Sequence, residues 1–113
     1  MAVCGWRVSL LPCRRVRGTL VMKEFKVACV QFAVTPLDAE ANITKCLDWL
    51  DQAVAEHSPD LVVFPETITT GFHPGMPKEE FWPMLHPIPG AWTDAIQERA
   101  AHHGVHVVWP IWE

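Results

Sequence analysis

The sequence predicts an α/β fold on a parallel sheet, and three observations predict it. Residues 26–33, 60–65 and 105–111 are short apolar runs of strand length, rich in valine. Two amphipathic helical stretches separate them, each closed by its own stop signal. Strand, helix and strand follow one another within residues 26–65, which is a βαβ unit with parallel strands and a right-handed crossover. The full order is β-α-β-loop-α-β, without internal repeat or low-complexity segment.

The first strand, KVACVQFA at 26–33, has no glycine or proline, and an uninterrupted apolar run fits a strand buried on both faces. Val34-Thr35-Pro36-Leu37 ends it. Asp38 is placed to cap the following helix, and Glu40 puts negative charge in its first turn. Ile43, Leu47, Leu50 and Val54 define one helical face, with Asp48, Asp51, Gln52 and Glu56 opposite. Ser58-Pro59 stops the helix, because a residue before proline resists the helical region. The second strand, DLVVFP, leads directly to Glu66. Residues 67–79 read as a loop, residues 78–85 as a short helical turn, and Pro87-Ile88-Pro89-Gly90 as a rigid linker. A helix over 91–103 turns Trp92, Ala95, Ile96, the Arg99 stem and Ala100 to one side; Gly104 ends it. Pro110 lies near the end of the third strand, where a missing N–H is tolerated.

The 113 residues hold at most one domain. Residues 1–22 contain four arginines and no acid; the other 91 carry five basic and thirteen acidic side chains, a formal charge of −8. Such an acidic body argues against nucleic acid or an anionic membrane as partner, and no apolar run reaches the roughly 20 residues that span a bilayer. The first 22 residues have no periodicity and are set aside from the fold. Upstream translation ahead of Met22 is the favoured explanation, an Arg-rich targeting peptide the other. Arg7 and Pro12 interrupt any secretory core. Cys4, Cys13, Cys29 and Cys46 form no CxxC or disulfide-like spacing, which points to free thiols in a reducing, cytoplasmic compartment.

Glu66 is the most informative residue. In open α/β folds ligands gather at the carboxyl ends of parallel strands. A carboxylate there, partly desolvated by its strand, would have a raised pKa and suit a general base. By pattern alone, a capping or solvent-facing glutamate is the commoner explanation. Lys45 falls on the polar side of the first helix and Lys78 in a loop. Cys29 reads as a small buried hydrophobe and Cys46 as a packed helix residue; neither has the basic neighbours that activate a thiol. His102 and His103 diverge on a helix and His106 lies across Gly104, so helix-end histidines are favoured over a metal site. Trp49, Trp82, Trp92, Trp109 and Trp112 are core candidates by default. Trp82, Trp92 and Trp112 are also candidates for a substrate pocket or a dimer face, and Phe72 and His73 for a substrate entrance.

The segment DLVVFPETITTGF, with Pro65-Glu66 and then Gly71-Phe72, resembles the N-terminal signature of the nitrilase superfamily of carbon–nitrogen hydrolases. Val30-Gln31 at the first strand, Asp38 and Asn42 at the helix start, Pro89-Gly90 before a helix, and Gly104 before an apolar strand reaching Glu113 occur in the family's order. The resemblance covers residues 26–113, making 23–113 the N-terminal part of a hydrolase domain. It implies a partial α-β-β-α sandwich and a Glu-Lys-Cys set that hydrolyses amide, nitrile or carbamoyl carbons through a thioester. Glu66 matches the glutamate. The family's lysine and cysteine lie beyond the segment matching Glu113, so neither is carried over. The implied partners are a small-molecule amide or nitrile and further copies of the parent chain; no cofactor is implied. The alternatives are a non-catalytic remnant or interaction module that keeps the fold, and a doubly wound nucleotide-binding domain. The latter lacks the expected glycine-rich turn after the first strand.

Overall fold

The computed structural model describes residues 24–72 and 76–112, together with the backbone of a strand at Cys4–Val8. Along the chain come β1 (Cys4–Val8), β2 (Phe25–Cys29), α1 (Ala39–His57), β3 (Leu61–Val63), α2 (Lys78–Phe81), a 3-10 turn (Trp82–Met84), α3 (Ala91–His103) and β4 (His106–Val108). They form a four-stranded sheet in the order β1-β2-β3-β4. Strands β2, β3 and β4 are parallel, as the βαβ spacing requires, whereas β1 runs antiparallel to β2. β1 falls within residues 1–22, which the sequence pattern had excluded from the fold.

The strands are shorter than the apolar runs that announce them. Val30 N–H still bonds the Val63 carbonyl at 2.9 Å, and Phe64 N–H the Val108 carbonyl at 3.0 Å. The ladder then stops at Pro65, which has no N–H to give. Buried Val30, Phe32 and Phe64 carry the apolar runs onward as irregular core segments.

Helix α1 begins as expected: Asp38 accepts a 3.0 Å bond from the Ala41 N–H. It ends at Ser58, in the left-handed region at φ 45°. Its buried stripe is Asn42, Ile43, Cys46, Leu50 and Ala53. Leu47 and Val54, expected on the core face, are only partly buried against that core. The face is rotated because α1 packs on the sheet and on α3 together. Asp51 consequently pairs with Arg99 of α3 and lies 2.6 Å from His103 Nε2. Gly104 closes α3 at φ 66°.

Ala28, Val62 and Val107 are aligned across the three parallel strands. They meet Cys46, Leu50, Ala53 and Ile96 in one core cluster. Fully burying a side chain such as Leu50 or Ile68 contributes about 1.5–3 kcal/mol. Both main helices therefore cover one face of the sheet. The other face presents Val27, Cys29, Leu61, Val63 and Val108, which are half-buried or exposed. This is an α/β fold with one helical layer and one sheet of the implied sandwich.

Candidate functional site

Glu66 stands at the carboxyl end of β3, the middle strand of the parallel set, two residues past a buried Phe64 and two before a fully buried Ile68. Both neighbours are tied to β4 or to the segment that continues it. Phe64 N–H donates to Val108, and Ile68 N–H donates to the Pro110 carbonyl at 3.3 Å. Between them Thr67 takes φ 54°. A β-branched residue in the left-handed region is a steric outlier, held only where its surroundings over-determine it.

The turn that follows is packed inward. Thr67, Ile68, Thr69 and Thr70 are all buried, and Gly71 N–H closes on the Thr67 carbonyl at 2.8 Å. Thr70 O accepts from Leu37 N–H at 2.9 Å. The principal tie is Asn42, 0% exposed at the start of α1. Its Nδ2 donates to Thr35 O at 2.7 Å and Thr69 O at 2.8 Å, while its Oδ1 accepts from Thr35 N–H at 2.8 Å. One amide side chain thus joins the loop before α1 to the turn after Glu66. The sequence marked Asn42 as a motif position without a role; a polar residue on the apolar side of α1 was the available signal.

The backbone at Glu66 is fixed, but its side chain is exposed. Among the described residues it has no hydrogen-bond or ion-pair partner. The expected partial desolvation of this carboxylate is therefore not met. The inward alternation of Val62 and Phe64 breaks at Glu66, which stays outward while the turn directs residues 67–70 inward.

The other candidates do not gather around it. Lys45 Nζ donates to Ala33 O at 3.2 Å and to Thr35 Oγ1 at 2.7 Å, strengthening the loop before α1. Lys78 Nζ sits 3.7 Å over the Trp82 ring. Cys46 is fully buried and accepts from Trp109 Nε1 at 3.3 Å. Burial pushes its thiol from the ordinary 9.0 up to about 11, against the smaller lowering effect of the Trp109 bond. It is a thiol, not a thiolate, at neutral pH. Cys29 is half-buried on the outward face of β2. His103 is engaged by Asp51, and its ring lies 5.1 Å from that of His102. Among the described residues no three His, Cys, Asp or Glu side chains converge as metal ligands.

Trp109 and Trp49 pack against the core, while Trp82 and Trp112 are exposed. Phe81 meets Trp112 edge-on at 6.0 Å, joining α2 to the segment after β4. Phe72 is 72% exposed; His73 and Glu113 lie outside the described residues. A groove of about 390 Å³ runs between α3 and β4, lined by Ile88, Ile96, Val105, Val107, Trp109 and Ile111 among others. Glu66 does not line it. The model of a family described as carbon-nitrogen hydrolase matches residues 26–113. No curated protein matches the chain.

Proposed function

The chain belongs to the carbon–nitrogen hydrolase family, and on that premise we propose that Glu66 is the general base of an enzyme that hydrolyses a non-peptide amide, nitrile or carbamoyl bond. The observation that carries this reading is the placement of Glu66 at the mouth of the central parallel strand, between the hydrogen-bonded Phe64 and Ile68, with an exposed carboxylate that no described residue engages. A base must be free to accept a proton and held where the proton is delivered.

The resemblance supplies the rest of the reaction. Glu66 takes the proton of a cysteine thiol as its sulfur attacks the substrate carbon. A lysine ammonium stabilises the negative charge that develops in the intermediate. With an amide, collapse expels the amine, which receives a proton, and leaves a thioester. Glu66 then takes a proton from the water that attacks the thioester, releasing the acid and restoring the thiol. The cysteine and lysine are proposed to come from outside these 113 residues, because Cys29, Cys46, Lys45 and Lys78 occupy other roles. Substrate would be a small amide or nitrile, and the enzyme would act as a homo-oligomer. Free Cys29 and Cys46 suit a reducing, cytoplasmic setting; no helix of the described residues is long and apolar enough to cross a membrane.

The test is ammonia release from a panel of amides and nitriles by the full-length enzyme. Glu66→Gln should lower kcat by about a hundredfold or more, with the fold retained by circular dichroism; wild-type turnover in that variant sinks the proposal. The 113 residues alone should release no ammonia. The buried, protonated Cys46 favours a second reading for the isolated chain, a non-catalytic module. In-frame coding sequence past Glu113 for a lysine motif and a strand–Cys–helix turn would decide against it.

A further inference from the structure

We infer that Asn42 is a positioning residue for Glu66, acting through the buried turn 67–71; this rests on the reading of Glu66 as the base. The side chain is fully buried at the start of an otherwise apolar stripe that continues through Ile43 and Cys46. A buried amide is costly unless its polar atoms are paired, and here the three bonds to Thr35 and Thr69 use both donors and the acceptor. Asp38 already caps α1, so Asn42 is not required to start the helix. Its bonds instead span 7 and 27 residues of sequence, joining two loops that otherwise share the Leu37-to-Thr70 backbone bond.

The joined turn begins at Glu66. Thr67 is held at φ 54° although β-branched, so the corner would relax toward ordinary backbone if the far end of the turn were released. Relaxation at Thr67 rotates the peptide attached to Glu66 and moves its carboxylate. Asn42 thus stabilises one orientation of the base without touching substrate, and misplacement on the scale of 1 Å can lower a rate by about a hundredfold.

Two measurements test this. Asn42→Asp keeps the acceptor for Thr35 N–H but sets an anion against two carbonyls. In the full-length enzyme kcat should fall about tenfold to a hundredfold with KM within about twofold. Amide exchange should accelerate at Leu37 and Gly71 while the β3 amides stay protected. Where Asn42→Asp fails to fold, Asn42→Ala serves: it removes all three bonds without adding a charge, and should lower kcat while leaving KM. Uniform loss of exchange protection, or kcat and KM worsening together, would reduce Asn42 to a structural residue and overturn the inference. Wild-type kcat in the folded variants, with Glu66→Gln inactive, overturns the positioning role alone. Full turnover in Glu66→Gln, or none in the wild type, overturns the base assignment and the positioning role with it.

Discussion

The indole N–H of Trp109 donates to the thiol sulfur of Cys46 across 3.3 Å, joining the segment after β4 to the centre of α1. Trp109 therefore finds a partner for its polar atom within the apolar layer, as a buried indole usually does. The same contact lies inside the core, where Cys46 is 0% exposed.

Cys46 should make the protein alkali-sensitive. Its folded pKa, about 11, lies above its ordinary 9.0. The neutral thiol is thus favoured by the fold, a contribution fully present below pH 9 and lost as pH rises through about 11. The loss is about 2–3 kcal/mol. Urea midpoints between pH 8 and 11 should fall, and the fall should be smaller in Cys46→Ala. At neutral pH, iodoacetamide should modify Cys46 only after denaturant is added; rapid labelling of the folded chain at Cys46 would contradict the burial.

The core face of α1 can be read by truncation. Leu50 is 0% exposed and Leu47 is only partly buried. Leu50→Ala should cost about 2–5 kcal/mol, a large share of a small domain's stability. Leu47→Ala should cost less. Equal costs would restore the stripe through Leu47 and Val54.

Asp51 joins α1 to Arg99 and His103 of α3, with side chains 42%, 36% and 21% exposed respectively. Solvent screens such a pair, so Asp51→Ala should cost about 0.5–1 kcal/mol, and less at high salt. A salt-independent cost would mean that packing, not charge, is lost.

Two glycines should respond differently to alanine. Gly104 has φ 66°, and an added Cβ there would meet only open space, so Gly104→Ala carries just the backbone penalty of about 1–2 kcal/mol. At Gly90 an added Cβ would lie 2.5 Å from the Pro87 carbonyl. Gly90→Ala must displace that backbone and should lower the melting temperature more.

Much of the fold is legible in the sequence because it depends on local pattern. The three parallel strands, the Asp38 cap, the Ser58 stop and the Gly104 terminus all fall where the residues indicate. β1 was missed although Cys4, Trp6 and Val8 alternate with Gly5 and Arg7, because five residues of alternation inside an Arg-rich, acid-free stretch are too short a signal to set against the rest of that stretch. The core face of α1 was half legible. Ile43 and Leu50 were identified, but Cys46 and Ala53 replace Leu47 and Val54 in the fully buried set.

By itself the sequence placed Glu66 just past a short apolar parallel strand, in the order of motifs that resembles carbon–nitrogen hydrolases, and the family's model matches residues 26–113. Tertiary structure decided how that glutamate is held. Asn42 and Thr69 lie 27 residues apart in the chain, and their bond exists only after α1 has packed on the sheet. Next to the exposed Glu66, Thr67 is likewise held at positive φ. Contacts between distant segments impose that backbone state, and no local pattern in the sequence announces it.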